Sequence, residues 1–111
     1  MPNPDLSPSQ VVTVFRSRLR PDANPSYGEL AAEMEAAARR VPGFVDFKVF
    51  TAADGERVSL ITFATTEAQR TWREDPRHRA AQRRGREDFY QEYSIQVTDC
   101  VHVRQLESGS S

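Results

Sequence analysis

Cysteine is almost absent. Cys100 stands alone in 111 residues, so no internal disulfide can brace the fold, and a reducing compartment is the simplest home. No apolar run approaches the roughly 20 residues that a membrane-spanning helix needs. The opening MPNPDLSPSQ has neither a basic segment nor an apolar core, so no secretory leader is expected and the location reads as cytoplasmic. A surplus of one charge is also missing. The net charge is −1, which leaves no field to gather a polyanion, so nucleic acid is not an expected partner. Lysine is reduced to Lys48, the other 14 basic residues being arginine, a skew to which no functional weight attaches. Several chemical signatures are missing too. His78 and His102, 24 residues apart with one cysteine, do not make a zinc site. There is no glycine-rich phosphate loop and no serine-centred nucleophile elbow, and a flavin enzyme is unsupported.

The hydrophobic content of 38% is that of an ordinary globular protein, and the length fits one domain with a modest core. Residues 1–9 hold three prolines and read as a loose tail. QVVTVFRSRL (10–19) alternates and is β-branched, which predicts a strand. Ser26 and Glu29 form a capping box. Behind it Tyr27, Leu30, Met34, Ala37, Ala38 and Val41 recur at helical spacing until Pro42-Gly43 stops the helix. FVDFKVFTAA (44–53) and RVSLITFAT (57–65) predict two strands joined at Asp54-Gly55 by a two-residue type I′ turn. Thr66 with Gln69 is read as a second capping box, opening a short helix through Trp72. Asp75-Pro76 starts another, with Asp as the cap and Pro where its missing N–H costs nothing, running to about Tyr90. Residues 94–104 predict the last strand, and 105–111 a polar tail.

The order β-α-β-β-α-β predicts a ferredoxin-like α+β domain over residues 10–104, a four-stranded antiparallel sheet with helices on one face. Strand one is apolar on both sides, Val12 and Val14 opposing Val11 and Phe15. The second strand is also apolar on both sides, Phe44 and Phe50 opposing Val45, Phe47 and Val49. A strand apolar on both faces is normally buried on both. This chain has no further layer to supply, so a homodimer with the sheets packed face to face is expected.

PGF at Pro42–Phe44, the Asp54-Gly55 hairpin, the strand that runs into a short helix with Trp72, then PRHRAAQ and GREDFYQEY together resemble the antibiotic biosynthesis monooxygenase family across residues 10–104. The resemblance implies the dimeric α/β barrel. It also implies a small oxygenase with no metal or flavin cofactor, acting with O2 on phenolic or polyketide-type aromatics. Haem-degrading relatives carry an Asn on the first strand, a Trp in the short helix and a ligand His ten residues later. Here Trp72 matches, but the ligand position is Gln82 and the Asn position falls near Phe15, which disfavours haem.

On a helical wheel His78, Gln82, Gly85 and Phe89 form one stripe with Ala81 close by. Gly85 is expected to leave space and the stripe to face the sheet, bounding a cavity near Trp72. Under the resemblance His78 is the general base, its ordinary pKa suiting a phenol near neutral pH. The blander alternative is a structural helix-start histidine. Trp72 is either a pocket wall or the core anchor of its helix. Gln82, Phe89, Phe15, Phe63 and Tyr90 are the further candidates for substrate binding, with core packing as the alternative for the phenylalanines. Arg16, which shares a strand face with Arg18, Val12 and Val14, is the candidate for stabilising an anionic intermediate, or else pairs with an acid at a dimer seam. Arg79, Arg83 and Arg86 read as a solvated, salt-bridged face. Cys100 reads as packed and His102 as a structural residue of the last strand. The rival function is a non-catalytic dimer binding a small apolar ligand.

Overall fold

The computed structural model describes residues 6–22 and 27–106. Eight segments follow in order: β1 (Val11–Leu19), α1 (Tyr27–Arg39), β2 (Phe44–Thr51), β3 (Arg57–Phe63), α2 (Thr66–Glu74), α3 (Pro76–Arg84), a π-helical turn (Gly85–Phe89) and β4 (Tyr90–Asp99). The strands form one sheet in the order β2-β3-β1-β4, and every neighbouring pair is antiparallel. This is the ferredoxin-like α+β arrangement expected from the sequence. Ser26, and with it the expected capping box, lies outside the described residues.

The period-2 rule decides what each strand gives to the core. On β1, Val11, Thr13 and Ser17 are buried and share the helix-covered face with half-buried Phe15. Val12, Val14, Arg16 and Arg18 point the other way. Through the register Thr13↔Ile61 and Phe15↔Ser59, the covered face of β3 is Arg57, Ser59, Ile61 and Phe63. A bulge between Phe44 and Asp46 adds one residue to β2 and resets its parity. Phe44 and Phe47 therefore pack on the same core cluster, around Ala37, Ile61, Phe63 and Trp72, instead of opposing each other. A second cluster gathers Leu30, Met34, Ala81 and Phe89. Burying a side chain such as Leu30 or Phe63, both inaccessible to solvent, contributes ~1.5–3 kcal/mol.

The helix stop at Pro42-Gly43 is as read, while local structure departs from the sequence reading at the hairpin and at the α2 cap. Pro42 and Gly43 (φ +96°) occupy the centre of a turn closed by the Phe44 N–H donating to the Val41 carbonyl at 3.0 Å, a type II turn in which the third residue needs positive φ. The hairpin after β2 is longer than two residues. The Gly55 N–H donates to the Ala52 carbonyl (2.9 Å), and the Ala52 N–H to the Glu56 carbonyl (2.7 Å). Gly55 has φ +93° and Asp54 does not share the positive region, which is the three-residue loop with a glycine bulge. The cap of α2 is Thr65, whose Oγ1 accepts the Ala68 N–H at 3.0 Å, while Gln69 turns inward and donates to Thr13 Oγ1 at 3.4 Å. Asp75 caps α3 as expected, accepting the Arg77 and His78 N–H groups.

The largest departure is at the end of α3. The expected helix to Tyr90 becomes regular α-helix only to Arg84, then the π turn, and Tyr90 is already the first residue of β4. Arg20 explains the stop. Its guanidinium donates to the carbonyls of Glu87 (2.9 Å), Arg86 (3.2 Å) and Tyr90 (3.2 Å), and its backbone N–H to that of Phe89 (2.8 Å). The carbonyls that a continuing helix would have used are taken, with a cation at the negative end of the helix dipole. In consequence β4 begins four residues early and ends at Asp99, so His102 lies beyond the strand. Cys100 is partly exposed, and its backbone pairs with Ser9 and Gln10.

Candidate functional site

Between α1, α2, α3 and the covered face of the sheet lies a cavity of about 420 Å3. Its walls are mainly apolar. Phe15, Ile61, Phe47 and Val49 come from the sheet, Ala31 and Met34 from α1, and Ile95 and Val97 from β4. Polar side chains line it as well, and two of them carry buried atoms without a hydrogen-bond partner.

His78 is one. It is 4% exposed, lines the cavity, and its ring lies 4.0 Å from that of Trp72, tilted by 35°. Its Nδ1 is buried with no hydrogen-bond partner. Burial pushes the imidazole from its ordinary 6.5 down to about 4, Asp75 pulling weakly the other way. The ring is thus neutral at pH 7, a far weaker base than expected from its ordinary value. Trp72 serves both proposed roles at once. It is 5% exposed, belongs to the core cluster and donates from Nε1 to the Met34 carbonyl at 3.3 Å, and it also forms cavity wall.

Tyr90 is the other. It is 5% exposed, and its hydroxyl is buried without a partner. Burial raises the phenol above its ordinary value, the neighbouring Tyr27 adds to the rise, and Arg57 opposes it. The ring stands edge-on to Phe15 (5.4 Å) and to Tyr27 (5.9 Å). Gly85 makes room for it: a Cβ there would collide with Tyr90 Cε2. The space expected at Gly85 is therefore filled by the tyrosine ring.

Of the other sequence candidates, Phe15 and Gln82 line the cavity. Phe63 and Phe89 do not. They are buried in the two core clusters, behind the wall, because Phe63 contacts Trp72 and Phe89 the Tyr27 ring. Arg16 is corrected as a cavity residue, and of its two expected roles the structure shows the pairing with an acid. Strand parity sends it to the uncovered face of the sheet, where Nε and Nη2 donate to both carboxylate oxygens of Glu56 at 3.1 and 2.8 Å. An anion in this cavity cannot meet it. Arg18 likewise pairs with Asp54 and Glu92. Arg79, Arg83 and Arg86 are exposed as expected, but among the described residues they have no carboxylate partner, so the expected salt bridges are not formed.

The sequence reading missed Arg57, which lines the cavity. The signal was present: Arg57 shares strand parity with Ile61 and Phe63. Among the described residues, no His, Cys, Asp or Glu side chains form a group of three or more that could hold a metal ion, and no helix is long and apolar enough to cross a membrane.

A ferredoxin-like domain with one apolar cavity between sheet and helices defines the class of protein. Residues 10–84 match the family described as antibiotic biosynthesis monooxygenase, and the chain belongs to that family. An uncharacterized protein of Bacillus subtilis (strain 168), YqjZ, is 29% identical over 98 residues, covering 88% of this chain and 86% of its own. Among solved structures, a mutant of SnoaB, a cofactor-independent oxygenase from Streptomyces nogalater, superposes with a TM-score of 0.72 at 19% identity, covering 88% of this chain and 96% of SnoaB. Rv0793 from Mycobacterium tuberculosis does so with a TM-score of 0.70 at 22% identity, covering 92% and 100%. At these identities the structural likeness establishes the fold.

Proposed function

We propose that the protein is an oxygenase acting with O2 on a flat phenolic or polyketide-type aromatic, the substrate itself supplying the electrons. The observation that carries this reading is an apolar, aromatic-walled cavity lined by the neutral His78 imidazole, whose buried Nδ1 has no hydrogen-bond partner. Membership of the monooxygenase family and the fold shared with an oxygenase support it.

The chemistry balances without a further reductant. His78 accepts a proton from the phenol, and the carbanion form places electron density on the para carbon. That carbon bonds to O2 to give a peroxide. Loss of the remaining ring proton and cleavage of the O–O bond give a quinone and water, one oxygen atom going to each. Phenol plus O2 equals quinone plus water in atoms, and the four electrons taken up by O2 come from the substrate. A base as weak as His78 is effective only if imidazolium and phenolate form together as an ion pair, which the low dielectric of a buried site strengthens. Trp72 forms the flat wall against which the rings stack.

The test is O2 consumption and quinone formation with a dihydroxyanthracene. His78→Gln is expected to lower kcat by ~10²–10⁴-fold, and an unchanged rate would remove His78 from this role. Activity of the wild type is expected to persist well below pH 6, because His78 stays neutral to about 4.

We further propose that the working unit is a homodimer. The uncovered sheet face carries Val12, Val14, Val58 and Leu60, all half-buried, and Phe50, 47% exposed, a continuous apolar surface that a second copy would cover by sheet-on-sheet packing. Light scattering at micromolar concentration is expected to give twice the chain mass, and Phe50→Lys to give the monomer.

A further inference from the structure

The cavity has two chemically different ends, and only one is used by the proposed reaction. Two rulers separate them. On α1, Tyr27 touches Tyr90, whereas Met34 accepts from Trp72 beside His78. His78 lies near the start of α3, and Gly85, which opens the π turn after it, sits under the Tyr90 ring. Each pair is seven residues apart, a rise of about 10 Å along a helix. A linear polycyclic aromatic spans such a length, so a ligand with one ring against Trp72 and His78 places its far edge at Tyr27, Tyr90 and Arg57.

At that far end Arg57 lines the cavity, its guanidinium carbon 5.2 Å from the centre of the Tyr27 ring. Among the described residues it has no carboxylate partner. Glu56 next to it is bound to Arg16 on the other sheet face, and the cavity's own acid, Glu35, is bound to Arg39. The buried Tyr90 hydroxyl close by has the Tyr27 phenol as its polar neighbour and makes no hydrogen bond of ordinary geometry. A half-buried guanidinium without an acid wants an anion, and the Tyr90 hydroxyl, facing only a neutral phenol, is a donor that a charged acceptor would draw away from it.

We propose that Arg57 and the Tyr90 hydroxyl form a carboxylate-binding subsite, so that the substrate is an aromatic acid whose carboxylate lies at the end of the cavity away from His78. This deepens the reading above and rests on the same cavity. A carboxylate takes two parallel bonds from a guanidinium, and its remaining lone pairs accept from Tyr90. Such an arrangement fixes which ring reaches His78, so Arg57 sets orientation as well as affinity.

Binding separates this from the oxygenase reading. Calorimetric titration of the protein with anthracene-2-carboxylate, the neutral anthracene-2-methanol and the cationic 2-(aminomethyl)anthracene is expected to give the carboxylate a ~10- to 100-fold lower Kd than the alcohol. Arg57→Gln is expected to abolish that preference, Tyr90→Phe to reduce it several-fold, and Arg57→Glu to favour the amine. The reversal is a gain that a damaged fold cannot produce. Equal affinity of the wild type for acid and alcohol, failure of all three to bind, or a preference that survives Arg57→Gln would each overturn the subsite. An Arg57-dependent preference for the acid in a protein that consumes no O2 would leave the subsite standing and remove the oxygenase. Oxidation of a dihydroxyanthracene and of its 2-carboxylate with the same KM would do the opposite.

Discussion

Burial of His78 makes the protein acid-sensitive by an amount that can be worked out. In the folded chain the imidazole titrates at about 4, against 6.5 in its ordinary state. At pH 7 the folded chain holds it neutral and the unfolded chain is protonated only to about a quarter, so its pH dependence there is slight. Below 6.5 the unfolded chain takes up a proton that the folded chain refuses, and each pH unit then costs about 1.4 kcal/mol. The loss runs until the folded pKa is reached and totals about 3 kcal/mol, a large share of the 5–15 kcal/mol typical of a domain. The direction follows from a depressed folded pKa: stability is full above 6.5 and falls as pH drops toward 4. Asp54 and Glu56, whose carboxyls are also held low, by the backbone N–H of Glu56 and by Arg16 respectively, add an acid loss that is common to any variant. The informative quantity is therefore the difference between wild type and His78→Gln, which keeps a polar side chain but cannot titrate. Urea unfolding followed by the single tryptophan, buried beside His78, at pH values from 7 to 4.5 measures it. The wild type is expected to lose ~2–3 kcal/mol more than the variant across that range. Parallel curves would show that His78 is solvated, and would weaken the case for a dry cavity at this end.

Three further outcomes follow from the packing. Gly85→Ala drives a methyl into the Tyr90 ring and is expected to destabilise by ~1–3 kcal/mol in urea unfolding, whereas Gly28→Ala, with open space around it, is not. Arg20→Ala frees the carbonyls of the π turn and is expected to raise amide exchange over residues 85–90 while leaving β3 protected, as checked by hydrogen exchange. Thr65→Ala removes the α2 cap and is expected to cost about 1 kcal/mol, again read by urea unfolding.

The alternation of 10–19 and 57–65, the stripe from Leu30 to Val41 and the Asp75-Pro76 start were enough to order the elements, because period and cap chemistry are local. Residues whose fate depends on a distant partner were not legible in the same way. The helix through Tyr90 looks continuous in sequence, and it is Arg20, far away in the chain, that takes its carbonyls and turns it into a strand. That shift moves Tyr90 from a helix end to the cavity wall. The alternation of FVDFKVF puts Phe44 and Phe47 on opposite faces until a bulge, set by pairing with β3, brings them together. Arg16 was readable as lying opposite Phe15, but which face the helices cover was not, and so the arginine at the cavity is Arg57, whose parity with Ile61 and Phe63 had gone unused.

By itself, then, the sequence determined the element order, the amphipathic faces and the inward stripe that begins at His78, since each follows from a repeat within a few residues. Only the tertiary structure decided that the imidazole is desolvated enough to stay neutral. It alone gathered Arg57 and Tyr90 around Tyr27 on the cavity wall. Desolvation and the meeting of charges are properties of neighbours brought in from elsewhere in the chain, and no local pattern encodes them.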